Sequence, residues 1–321
     1  MLKLLTRLSL AMLLISLLIS LSGCVFESPF GRKIVPSGTP VVKPTKIVIN
    51  TWTPVYESTV TPPVFQAALA TSAPIITPTP WLIKQGPGKV VCPILLYHRI
   101  AIPKGGDAAK PGGIMSPYYV TPVEFRAQIQ ALKEWGYVTI PVFELVDAIK
   151  HGTKLPARPI IISFDDGDAS VYSQAFPVMR EYGFTGINYL VKNYIGAEGY
   201  LSVAQIKELS AAGWEVGSHS MTHSDLTTSS HLEFEIIKSK DVLEKMLDVK
   251  VQSFAYPFGM INAELRETVA QHYLAAMGLG VYVTQRPVDI HYLWRRPVEM
   301  GWDVQTFGSF LPWNSPIYEV H

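Results

Sequence analysis

From Pro80 onward the sequence predicts an α/β fold built on a parallel sheet. Short apolar runs alternate there with amphipathic stretches, helix-start signals precede several of those stretches, and glycines close them. The strand candidates are residues 94–97, 137–140, 160–164, 187–191, 215–218, 253–256, 275–279 and 296–300, with helices filling the gaps. Thr121, Pro122 and Glu124 make a capping box with proline in the first turn, because the hydroxyl and the carboxylate can each satisfy an orphan backbone donor. Ser202 with Gln205, and Ser230 with Glu233, repeat the pattern. Gly136, Gly183 and Gly213 stand where helix ends need a left-handed residue. A doubly wound sheet and a barrel fit this alternation equally, and both place sites beyond the carboxyl ends of the strands.

The segments before the domain set the expected compartment. Lys3 and Arg7 precede an apolar stretch from Leu8 to Leu21, too short to span a bilayer comfortably but suited to a secretory signal. Leu21, Ser22, Gly23 and Cys24 then resemble a bacterial lipobox, so residues 1–23 are expected to be a signal peptide. Residues 24–35 are then a lipid-anchored N-terminus, with lipid on Cys24 fixing the chain to the bacterial membrane; a short transmembrane anchor is the alternative. Both readings put the rest outside the cytoplasm. Residues 36–85 are rich in Thr and Pro, which disfavours helix and predicts a disordered linker ahead of a catalytic domain over 86–321. Cys92 has no partner if Cys24 is lipidated, and it opens an apolar run as a buried small side chain. With 48% hydrophobic residues among 321, the chain can bury a sizeable core. Its net charge of +1 and lack of long basic runs argue against nucleic acid as a partner.

Four strand ends carry the candidate chemistry. The apolar run from Ile160 ends in Asp165, Asp166 and Gly167, two adjacent carboxylates whose repulsion a divalent cation would offset; the plainer reading is a turn. His219 and His223 follow the strand candidate at 215–218. Four residues apart, they can face one side of a helical turn and, with one carboxylate, hold a metal with open positions for water. Ser220 occupies the place of the glutamate that a zincin needs, so the metalloprotease base is absent. Tyr256, Pro257, Phe258 and Gly259 end another strand candidate, and His98 ends the first; singly, these read as packing aromatics and a buried histidine.

Taken together and in order, Asp165-Asp166-Gly167, His219 with His223, and Tyr256-Pro257-Phe258-Gly259 resemble the successive motifs of NodB-homology polysaccharide deacetylases, carbohydrate esterase family four. The similarity covers roughly Pro93 to Met300. The block Leu95-Leu96-Tyr97-His98 ahead of the aspartates further resembles the circularly permuted branch that includes poly-N-acetylglucosamine deacetylases. This resemblance implies a distorted (β/α) barrel of about seven parallel strands and a divalent metal, expected to be zinc. It implies Asp166, His219 and His223 as ligands, Asp165 as general base, His98 as general acid, and the Phe258 backbone N–H as an oxyanion donor. Tyr256 and Pro257 fall in its substrate-facing motif. Two features depart from the pattern. Ala255 stands where many members have an arginine that orients the catalytic aspartate, so Arg295 or Arg296 is the candidate replacement. The Asp-Trp motif of the unpermuted enzymes is missing, and Trp302 is left as a possible sugar-facing aromatic alongside Tyr118, Tyr119, Trp214, Trp294 and Trp313.

The expected reaction is hydrolysis of an N-acetyl group on a polysaccharide, with Asp165 taking a proton from attacking water and His98 giving one to the departing amine. Two alternatives stay open on the sequence: an O-acetyl polysaccharide esterase, and a non-catalytic glycan-binding lipoprotein.

Overall fold

The computed structural model describes residues 87–103 and 118–314. The expected signal peptide, lipid-anchored Cys24 and Thr/Pro-rich linker lie outside the described residues. Among the described residues no helix is long and apolar enough to cross a membrane.

The strands in chain order are β1 (Val90–Val91), β2 (Ile94–Tyr97), β3 (Arg99–Ile100), β4 (Tyr119–Val120), β5 (Val138–Thr139), β6 (Pro159–Asp166), β7 (Ile187–Leu190), β8 (Glu215–Ser218), β9 (Ser253–Ala255), β10 (Ala275–Met277), β11 (Thr284–Gln285) and β12 (Arg296–Pro297). The main sheet runs β10-β9-β8-β7-β6-β2-β12, with β5 also on β6, and every pairing in it is parallel. Backbone bonds from Leu293 to Ala276 (2.7 Å), Gly278 to Leu293 (2.9 Å) and Gly280 to Arg295 (2.8 Å) tie the lead-in to β12 onto β10. The sheet thereby curls into a distorted barrel, which decides between the two architectures that periodicity left open.

Side chains alternate across this curled sheet with a period of two, and the alternation separates two cores. Ile94, Ile161, Ile187, Tyr189, Ala255, Ala275 and Met277 point into the barrel. Leu95, Ile160, Ile162, Phe164, Leu190, Phe254 and Ala276 pack outward under the helices. The inward layer is crowded enough to exclude a methyl group at Gly217, where an added Cβ would lie 2.3 Å from the Tyr189 ring. Cys92 is buried in this inner core, and burial pushes its thiol pKa up, which leaves it inert.

The helices are α1 (Pro122–Glu134), α2 (Val142–His151), α3 (Phe176–Tyr182), α4 (Val203–Ala211), α5 (Ser239–Leu247), α6 (Ala263–His272) and α7 (Val304–Ser309). Capping boxes form at Thr121 and Ser202, and Gly136, Gly183 and Gly213 all take positive φ, as the sequence predicts. The box at Ser230 does not form. Ser229 takes the local role instead, its Oγ accepting from the His231 N–H at 3.1 Å, and a π-helical turn, Glu233–Lys238, leads into α5. The strand expected over 296–300 pairs only at Arg296 and Pro297. α2 packs its Val142, Leu145, Val146 and Ile149 into the inner core, closing the amino end of the barrel and leaving the carboxyl end open.

Candidate active site

At the open end, inward parity brings together residues from strands far apart in sequence. Asp165 continues the inward series Ile161, Ser163; His98 continues Ile94, Leu96; His219 follows Gly217; and Arg295 enters just before β12. Parity alone would turn Asp166 outward, but its backbone takes φ 69°, and both carboxylates face one cleft. That cleft, about 440 Å³, is lined among others by Leu96, His98, Tyr118, Tyr256, Phe258 and Leu279.

Asp165 is held by Arg295. The guanidinium donates to both carboxylate oxygens, at 2.7 and 2.8 Å, and also to the Gly278 carbonyl at 3.3 Å, while its flat face lies 5.2 Å from the Tyr189 ring centroid. Arg295 is 1% exposed. Burial by itself would raise the Asp165 carboxyl, but the Arg295 cation, helped by His219, outweighs it and holds the pKa at about 2. Of the two candidates for the arginine missing at Ala255, the structure therefore puts Arg295 on the aspartate. Arg296 is not in the cleft: parity sends it outward, where its guanidinium stacks 4.4 Å from the Phe310 ring and donates to the Val281 carbonyl.

Asp166, His219 and His223 offer ligand atoms that all lie within 4.8 Å of one another. His223 Nε2 is 3.4 Å and His219 Nε2 3.7 Å from Asp166 Oδ1. His219 Nδ1 donates to the Ala255 carbonyl at 2.8 Å, which fixes the tautomer and leaves the Nε2 lone pair facing the carboxylates. Burial pushes the His219 imidazole below its ordinary pKa, against the pull of Asp165 and Asp166, and this favours the neutral ligand form. Asp166 Oδ1 is itself buried without a hydrogen-bond partner. A buried carboxylate oxygen left unpaired between two imidazole nitrogens is costly on its own and fits a divalent cation.

The two histidines do not lie on a helical turn. Residues 219–223 form a loop in which Ser220 and His223 take φ 70° and 64°, and the Ser220 Oγ accepts from the His223 N–H at 2.9 Å. Glu235, 4% exposed, holds this loop from the π-helical turn. Its carboxylate accepts from the N–H groups of Met221 and Thr222, both at 3.0 Å, and from the hydroxyls of Thr222 (2.6 Å) and Ser224 (3.2 Å). Sequence reading missed Glu235, since one glutamate on a helix with many carries no mark of its tertiary partners.

His98 lines the cleft, and its Nδ1 is buried without a partner. Burial holds its imidazole below the ordinary pKa, against the opposing pull of Asp165 and Asp166. Phe258 takes φ 60° and sets its half-exposed ring 4.7 Å from His223. Tyr256 is buried at the cleft floor with its hydroxyl on the His291 carbonyl. Pro257, predicted to face substrate, is buried and outside the cleft lining. Trp302 stacks on Phe310 at 4.5 Å and is not among the residues that line the cleft. Trp214 and Trp313 likewise pack on Phe164 and Tyr137.

This fold and this cluster define a class, and comparison with known proteins gives the same one. Residues 152–277 match the family described as polysaccharide deacetylase, so the chain carries a polysaccharide deacetylase domain. The poly-β-1,6-N-acetyl-D-glucosamine N-deacetylase of Staphylococcus epidermidis is 32% identical over 161 residues, which are 45% of this chain and 55% of that protein. The chain thus spans about half the length of that curated relative. Among solved structures, a polysaccharide deacetylase from Bacillus cereus is 27% identical, covers 69% of each chain and superposes with a TM-score of 0.60. IcaB from Ammonifex degensii is 26% identical over 67% of this chain and 93% of its own, with a TM-score of 0.53.

Proposed function

We propose that this chain is a divalent-metal-dependent hydrolase that removes N-acetyl groups from an N-acetylglucosamine polysaccharide, working outside the cytoplasm with lipid on Cys24 as its tether. The observation that carries the chemistry is the unpaired Asp166 Oδ1 between the two Nε2 atoms, beside a second aspartate gripped by Arg295. Asp166, His219 and His223 would hold the cation, and zinc suits two imidazoles and one carboxylate. When bound, such an ion supplies Lewis acidity that activates water and polarises the acetamide carbonyl.

The protein's own groups do the remaining work. Asp165, kept ionised and aligned by the two-point contact with Arg295, is oriented to accept the proton of attacking water. His98, just past the end of the neighbouring strand β2 and within the same cleft, is the group to protonate the departing amine. The Phe258 amide, on a turn with left-handed backbone, is the proposed donor to the tetrahedral oxyanion. The substrate assignment draws on the named activity of the staphylococcal relative.

Acetate release from β-1,6-linked N-acetylglucosamine oligomers and from acetylated xylan, each with and without chelator, tests this reading. We expect chelator-sensitive release from the first. Asp165→Asn should lower it by at least ~10²-fold while the variant still binds zinc in a competition titration. Release from xylan alone would make the enzyme an O-acetyl esterase, and no release from either would favour a glycan-binding module.

A further inference from the structure

Aromatic rings continue past the cation site in a direction that the cleft lining does not include. Phe258 lies 4.7 Å from His223, His223 lies 6.4 Å from Tyr194, and Tyr194 lies 4.7 Å from Tyr200. Tyr194 and Tyr200 are both half-buried, each leaving part of its surface to solvent. They belong to the loop after β7, which lies between the loops that carry Asp166 and His223.

That loop is fastened to both neighbours by backbone bonds. On one side the Lys192 and Asn193 N–H groups donate to the carbonyls of Ser220 (3.2 Å) and Met221 (3.0 Å), within the histidine loop. On the other, the Ala169 N–H donates to Gly199 (2.9 Å), the Leu201 N–H donates to Gly167 (2.8 Å), and Asp168 bridges to Tyr200. The two phenol rings are therefore set at a fixed offset from the candidate ligands. Rigid, amphipathic rings of this kind bind with little loss of rotamer freedom, and each offers an apolar face with a polar tip. Arg99 adds donors nearby: it lines the cleft and donates to the Tyr119 hydroxyl at 3.1 Å and, at 3.0 Å, to Asp168, the residue whose backbone bridges to Tyr200.

A pyranose ring presents an apolar C–H face and an equatorial rim of hydroxyls, and both are matched by this arrangement. We propose that Tyr194 and Tyr200 form a subsite for the sugar unit next to the one being deacetylated, with Arg99 at its polar edge. The proposal rests on the polysaccharide deacetylase reading, since that reading puts a neighbouring sugar beside the cation site. It makes the protein selective for a chain over a single sugar.

Calorimetric titration of the zinc-loaded full chain with a β-1,6-linked N-acetylglucosamine pentamer, and with N-acetylglucosamine itself, tests it. Tyr194→Ala and Tyr200→Ala should each weaken pentamer binding about tenfold, and the Phe variants, which keep the ring, should bind within about twofold of the parent. Pentamer affinity that is unchanged in both Ala variants overturns the proposal, as does an equal loss for the monosaccharide. Acetate release from the parent in the same samples judges the deacetylase reading separately: ring-dependent pentamer binding without release would sink that reading and keep the subsite.

Discussion

The two ends of the barrel are built on opposite terms. At the carboxyl end, Asp166, Ser220, His223 and Phe258 all adopt left-handed φ without being glycine, and the other such residue among those described, Asp248, merely ends α5. Each such backbone costs of order 1 kcal/mol. His98 Nδ1 and Asp166 Oδ1 are buried there with no hydrogen-bond partner. At the amino end, α2 closes the barrel with apolar side chains, Thr139 and Thr185 hydrogen-bond each other, and Glu215 caps α2 by accepting from the Val142 N–H at 2.8 Å. A small cavity of about 80 Å³ remains beside Glu215. Left-handed backbone at non-glycine residues thus gathers at the cleft end, while the far end is closed by apolar packing and paired polar groups.

The sharpest way to break this contrast is to remove the cation that neutralises Asp165. Arg295→Met leaves a buried carboxylate without its partner and should destabilise the fold by about 3–5 kcal/mol in urea unfolding. The double variant Asp165→Asn with Arg295→Met should recover most of that loss; a double variant as unstable as the single would mean Arg295 acts by packing alone. Glu235→Ala comes next, because it strips four donors of their acceptor and frees the histidine loop. Zinc affinity, read by competition with a chromophoric chelator, should fall ~10–100-fold, with a smaller loss for Glu235→Gln. Unchanged affinity would show that the loop holds itself.

The smallest effect belongs to the amino end. Burial raises the Glu215 carboxyl to about 7 from its usual 4.5, despite the Val142 N–H that lowers it. The folded state therefore binds this proton more tightly than the unfolded chain does. Its contribution to stability is fully present below pH 4.5 and is lost as pH rises through 7. Glu215→Gln keeps the cap without the charge, so it should flatten stability across that window and add about 1–2 kcal/mol at pH 8. A Gln variant with the parent's pH slope would remove Glu215 from the account.

Much of this was legible in the residues themselves. Strand positions followed from short apolar runs, the caps at Thr121 and Ser202 from local side-chain chemistry, and the Asp166, His219, His223 trio from motif order. Each strand, cap and motif is encoded within a few consecutive residues, and the order of the motifs links the distant ones. What escaped depends on backbone twist or distant packing. The histidine pair reads as a helical turn because residue type does not announce φ 70° at Ser220. Arg295 and Arg296 are adjacent and alike, and the register of β12 against β2 separates them. Trp302 drew attention as an indole beside an aspartate, yet Phe310 claims its face. Glu235, Tyr194 and Tyr200 carry no local signature at all; their roles arise from loops that meet only in the folded chain.

The sheet order has one further outcome for the site. β12 lies beside β2, which lies beside β6, so the first and last strands of the main sheet must meet before the charged pair exists. The candidate ligands all lie between residues 166 and 223, while Asp165 is aligned by an arginine 130 residues downstream of it. Alignment of Asp165 therefore depends on the segment that leads into the last strand, and shortening the chain before Arg295 would leave that carboxylate without its cation.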